Sequence, residues 1–134
     1  MDLGPSHATR TATRTVLIVE DDASVRDVCA DVLTDEGYVV HAAADGMSGL
    51  AQLDCSPDVI VLDLVMPRMD GWEFLRRLRA VAGHEQTPVL LLTGTASSGA
   101  ALAGAQAVLR KPFVVEALLR QVADLAHGVP RSRP

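Results

Sequence analysis

Five times along the chain, a short and almost uninterrupted apolar run gives way to residues with helical spacing. The runs are Thr15 to Val19, Tyr38 to Ala43, Asp58 to Leu62, Pro88 to Leu92 and Ala107 to Leu109. A strand with one wet face alternates apolar and polar residues, whereas a run that is apolar throughout is buried on both faces, the habit of parallel sheets under helices. The intervening segments supply such helices. Val25, Val28, Cys29, Val32 and Leu33 share one helical face; Ser24 with Asp27 predicts a capping box, and Gly37 a C-terminal cap. Gly46 to Leu53 predicts a short helix ending before Pro57. Trp72, Leu75, Leu78 and Ala82 mark a further helix that Gly83 ends, Ser97 to Ala103 a weak one, and Val115, Leu118, Val122 and Leu125 the last. The fold class is α/β, a doubly wound parallel sheet of five strands with helices on both faces.

Apolar residues make up 49% of the 134-residue chain and charged residues 22%, which suits one soluble domain with a sizeable core. With four aromatic residues in all, that core falls to Leu, Val, Ile and Ala. Residues 1 to 14 and 128 to 134 lack periodicity and read as a flexible and a disordered tail around a domain at 15 to 127; His7 is a solvated tail residue. The net charge of −5 argues against holding phosphate backbones, so direct nucleic-acid binding is not expected. No apolar run is long enough to span a bilayer and the first residues lack a signal-peptide core, so no membrane role and a cytoplasmic location are expected. Cys29 and Cys55 have no metal-site spacing and read as small hydrophobes on helices.

Asp63 is the one carboxylate in the apolar run Val59 to Met66. An ionised carboxylate buried there needs a partner, a metal or a proton. Glu20-Asp21-Asp22 follows the first strand, Thr93 the fourth and Lys111 the fifth, and ligands on such sheets bind beyond the carboxyl ends of the strands. Each residue alone has a plainer role: Asp22 as a helix cap, Asp63 as a turn acceptor, Lys111 as a surface cation, Thr93 as a strand-end hydroxyl. One shared edge favours one shared site. An Asp carboxylate can accept a phosphoryl group as a nucleophile; magnesium held by carboxylates, with a lysine as point charge, offsets the added negative charge. Thr93 can donate its hydroxyl to a phosphoryl oxygen.

Four stretches carry a family resemblance. They are Val16-Leu17-Ile18-Val19-Glu20-Asp21-Asp22 with Arg26, Asp63-Leu64-Val65-Met66-Pro67-Arg68-Met69-Asp70-Gly71, Leu92-Thr93, and Lys111-Pro112-Phe113. Over residues 15 to 127 the chain resembles the receiver domains of bacterial two-component response regulators, of the stand-alone kind since no second domain follows in the sequence. The resemblance implies a flavodoxin-like fold with strand order 2-1-3-4-5. It makes Asp63 the phosphoacceptor for a sensor histidine kinase or histidine phosphotransfer protein. Glu20, Asp21 and Asp63, with the Val65 backbone carbonyl, would hold Mg2+. Asp22 would cap the helix, Thr93 would be the switch hydroxyl, Lys111 the phosphate-sensing lysine, and Lys111-Pro112 a cis peptide. Output would run through contact with a downstream protein. Such a domain is not an enzyme beyond its own phosphorylation and dephosphorylation.

Three departures stand out. The family commonly carries an aromatic residue where this chain has Val108, so the usual Thr-to-aromatic relay has no ring to move. The Thr93 to Lys111 segment is about a helical turn short of the family's usual length and holds Gly94, Gly99 and Gly104; an interior Gly costs a helix about 1 kcal/mol against Ala. Val65 offers no side-chain donor to a hydrolytic water, while Gly94 leaves the site open. The alternative is a degenerate receiver, a phosphorylation-independent protein-binding adaptor. A phosphatase of the haloacid-dehalogenase type would need a second Asp at Val65, and an FMN carrier a hydroxyl- and Gly-rich loop in place of the acids.

Overall fold

The strands that the apolar runs predict assemble into one sheet. In the computed structural model, which describes residues 13–94 and 104–127, they are β1 (Thr15–Val19), β2 (Val39–Ala43), β3 (Val59–Asp63), β4 (Val89–Thr93) and β5 (Ala107–Arg110). Their order is β2-β1-β3-β4-β5 and every neighbouring pair is parallel. The helices are α1 (Ala23–Asp35), α2 (Gly46–Ala51), α3 (Gly71–Arg79) and α4 (Val115–His127), with a 3-10 turn at Leu53–Cys55.

Alternation along each strand divides the core between the two faces. Leu17, Val19, Ile60, Leu62 and Leu91 pack with Phe74, Leu75 and Leu78 of α3, whereas Val16, Ile18, Val61, Leu90 and Leu92 pack with Cys29 and Leu33 of α1 and Leu118 and Val122 of α4. Residues of β3 and β4 are buried throughout, while β2 and β5, the edges, are partly exposed. That is why the central runs are the most continuously apolar.

Several expectations shift in detail. The third and fourth strands start and end one residue later than the apolar runs, so Asp63 pairs with Leu92 and Thr93 with Arg110 inside the ladder. Hydropathy stops at the last apolar residue; hydrogen bonding does not. The second strand starts at Val39 rather than Tyr38, the fifth runs on to Arg110, and the expected 46 to 53 helix divides into α2 and the 3-10 turn. The expected Ser24 box is replaced by Asp22, whose carboxylate accepts the Ser24 and Val25 N–H groups. Gly37 follows the Glu36 cap with φ +102°, a conformation that favours glycine.

On α3 the buried stripe is Gly71, Phe74, Leu75 and Leu78, while Trp72 stays 38% exposed. Contact at Gly71 sets this rotation: a Cβ there would lie 2.8 Å from Leu64 Cα. The helix expected at 97 to 103 and most of both expected tails lie outside the described residues. Arg14, placed in the first tail, is tied in: its carbonyl accepts the Val39 N–H at 2.9 Å.

Candidate functional site

The carboxyl edge of the sheet gathers the buried acids among the described residues. Glu20, just past β1, is fully buried, and Asp63, the last residue of β3, is 4% exposed. Lys111 follows β5, with its Nζ 3.0 Å from Glu20 Oε1 and 3.4 Å from Asp63 Oδ1. The Glu20 contact is close but does not count as an aligned hydrogen bond, and Glu20 Oε1 accepts none among the described residues. Its attraction to the lysine is therefore electrostatic. Glu20 Oε2 accepts the Asp22 N–H at 3.1 Å, and the Val65 N–H lies 3.4 Å from Asp63 Oδ1. Carboxylate oxygens of Glu20, Asp21 and Asp63 lie within 4.8 Å of one another.

Arg26 organises the acidic loop from outside. Its Nη1 donates to the Glu20 carbonyl at 2.8 Å and to the Asp21 carbonyl at 3.4 Å. Its spacing after the acids, one helical turn into α1, is the signal in the sequence for a role that residue types alone leave unassigned. Asp22 spends its side chain on the α1 cap, so two of the three consecutive acids remain for the site.

Burial first, and crowding second, set the protonation. Burial, then the charge of Glu20 and contact with it, push the Asp63 carboxyl from 3.8 up to about 7, with Asp21 adding and Lys111 opposing. Burial alone would lower the Lys111 ammonium, but its contact with Glu20 and the charges of Glu20 and Asp63 hold it above its ordinary value. Beneath the site the Cys29 thiol is pushed up to about 11, chiefly by burial and next by Glu20, which leaves it an inert core group.

Three carboxylates face one ammonium, and one buried oxygen, Glu20 Oε1, lacks a hydrogen bond. A hard divalent cation fits that donor set, because such ions take carboxylate oxygens and need no alignment with a lone donor.

Of the residues expected here, Glu20, Asp21, Asp63 and Lys111 come together. Thr93 is 1% exposed at the end of β4, and its carbonyl accepts the Lys111 N–H at 2.7 Å, which joins the β4 and β5 ends by backbone. By strand alternation Thr93 shares a face with Val89 and Leu91, the face on which Val108 packs. Val108 is thus an aliphatic side chain partly buried in that core. The Lys111–Pro112 peptide is cis. Val65 is 67% exposed beside Asp63, and a Cβ on Gly94 would meet nothing within 4 Å.

The family model of the response regulator receiver domain matches residues 16–123. Response regulator MprA of Mycobacterium ulcerans is 38% identical over 115 residues, which cover 82% of this chain and 49% of that protein. MprA of Mycobacterium avium is likewise 38% identical, with 50% of its length covered. The chain therefore spans about half the length of these curated relatives. Chemotaxis protein CheY4 of Vibrio cholerae superposes with a TM-score of 0.79 at 38% identity, covering 84% of this chain and 98% of its own. The receiver domain of sensor histidine kinase PA1611 from Pseudomonas aeruginosa gives 0.78 at 28% identity, covering 85% and 98%; that domain has a magnesium ion coordinated in its active site cleft.

Proposed function

Because the chain belongs to the response regulator receiver domain family, a family of signalling domains that interact with histidine kinases and downstream targets, we propose that Asp63 is its phosphoacceptor. The observation that carries this reading is the near-total burial of Asp63 within 3.4 Å of Lys111 and against Glu20, at the edge where α/β sheets bind ligands. The reaction is a phosphoryl transfer: the N–P bond of a phosphohistidine breaks, a bond forms from an Asp63 carboxylate oxygen to phosphorus, and the imidazole leaves with the electron pair. The donor is a sensor histidine kinase or a histidine phosphotransfer protein.

Positioning and charge do most of the work in such transfers. Lys111 meets the new negative charge as a mobile cation, Thr93 donates its hydroxyl to a phosphoryl oxygen, and Arg26 holds the acidic loop in place. Glu20, Asp21, Asp63 and the Val65 carbonyl would hold Mg2+. When bound, that ion supplies positive charge to the phosphoryl oxygens. The domain occupies residues 15 to 127, acts in the cytoplasm, catalyses at most its own phosphorylation and dephosphorylation, and signals by contact with a downstream protein. Among the described residues no helix is long and apolar enough to cross a membrane.

The test is direct. Incubation with Mg2+ and a small acyl-phosphate donor should add one phosphoryl group by intact mass, and Asp63→Asn should abolish it. Modification that persists unchanged in Asp63→Asn would reassign the acceptor. Absence of modification with Mg2+ demonstrably bound would favour the phosphorylation-independent adaptor.

A further inference from the structure

Beyond the phosphoryl site, on the α2 and α3 side of the molecule, lies an open hollow of about 670 Å³. None of Glu20, Asp21, Asp63 or Lys111 lines it. Its apolar surface comes from Met47, 61% exposed, and Trp72, 38% exposed, the single tryptophan of the chain. Arg68, Arg76 and Arg77 stand around them. The Arg68 and Arg76 side chains are 76% and 72% exposed.

The local anions are already committed. Asp70 caps α3 by accepting the Glu73 N–H at 3.0 Å, and Glu73 lies between Arg76 and Arg77, with its Oε2 2.7 Å from Arg77 Nε. Within the lining three guanidinium groups thus face two carboxylates, and a third acid, Asp45, lies outside it against Arg68. Arg68 has φ +68°, a backbone state that costs an L residue energy, and its only ion pair among the described residues is a loose 3.8 Å contact to Asp45.

Exposed Trp and Arg around a concave apolar floor are the residue types that dominate protein interfaces. We infer that this hollow docks a short acidic segment of a partner protein, its one large apolar side chain seated against Trp72 and Met47 and its carboxylates on the arginines. A free inorganic anion would use the guanidinium groups but not the apolar floor, so the combination selects a peptide.

A displayed library of random twelve-residue peptides, panned against the full chain, tests this. Enriched sequences should combine Asp or Glu with a Leu, Phe or Trp. A synthetic member lacking Trp should shift Trp72 fluorescence to the blue with saturation, weaken at least fivefold on Arg68→Glu with Arg76→Glu, and bind Asp63→Asn as well as the parent. Far-UV circular dichroism checks that the charge-reversed chain is folded. The inference is overturned by enrichment of neutral or basic peptides, or by no enrichment over the charge-reversed chain. It is equally overturned if triphosphate reproduces the fluorescence response, which would indicate a simple anion site. Concentration-dependent dimerisation that the same reversal abolishes would also overturn it, since the occupant would then be a second copy.

Discussion

At the amino-terminal edge of the sheet, polar groups close on one another. Asp58 accepts the Thr15 N–H at 2.8 Å and faces Arg14 at 3.9 Å. Arg79 donates to the carbonyls of His84 at 3.1 Å, Thr87 at 2.8 Å and Gly104, while Gln106 Oε1 accepts the Val89 N–H at 2.7 Å. At the opposite edge, Glu20, Asp21 and Asp63 crowd one another, Lys111 stands against Glu20 and Asp63, and Glu20 Oε1 accepts no hydrogen bond among the described residues. One edge holds its loops by hydrogen bonds, with Arg14 Nε its one buried group lacking a partner among the described residues. The other keeps like charges close and leaves them short of compensation. Crowding of like charge, and not a missing hydrogen bond, therefore separates the edge that carries the proposed site from the edge that does not, although both are built from strand ends and loops.

The sharpest way to break this contrast is pH. With Asp63 lifted from 3.8 to about 7, the folded chain keeps a proton in that interval that the unfolded chain has released. Folding then binds protons, so the contribution of Asp63 to stability falls as pH rises through the window, by on the order of 2–4 kcal/mol. In EDTA, Asp63→Asn should flatten the pH dependence of the urea midpoint relative to the parent. Parallel curves for the two chains would show that the acids are not in conflict.

At the amino-terminal edge the effects are smaller and silent in function. Arg79→Ala should cost about 1–3 kcal/mol, because carbonyls now receiving a charged donor lose it. The same variant should still accept one phosphoryl group by intact mass. Loss of that capacity with the fold intact would mean that the two edges are coupled. Asp58→Ala should cost least, about 0.5–1.5 kcal/mol, from one backbone hydrogen bond and a weak ion pair. Thermal unfolding measures it, and a cost above that of Arg79→Ala would reverse the ranking.

The same contrast explains what could be read in advance. Strand number, parallel pairing and both buried faces follow from apolar runs, because burial on two faces leaves a direct mark in residue type. Asp63, Glu20, Asp21 and Lys111 stood out because charge at the end of such a run is conspicuous. Their shared edge grouped them into one site; their individual roles, and the strand order, came from the resemblance. Arg79 and Gln106 gave no warning: an arginine at a helix end suits the helix dipole in any protein, and its carbonyl partners are backbone atoms that no residue type announces. Spacing counts Trp72 with Leu75 and Leu78 on the apolar face of its helix. Phe74 is there instead, because the fit of Gly71 against Leu64 sets the helix's rotation, and steric fit between two backbones is invisible to hydropathy.

That fit also partitions sequence tolerance along the loop after Asp63. A Cβ at Gly71 would meet Leu64 Cα at 2.8 Å and the Asp63 carbonyl at 3.0 Å, backbone atoms that cannot move aside without moving Asp63 itself. Val65 is 67% exposed and constrained by neither. A combinatorial library over this loop would return glycine at 71 and wide variety at 65, so the chain can be retuned beside Asp63 while the glycine keeps that carboxylate in register.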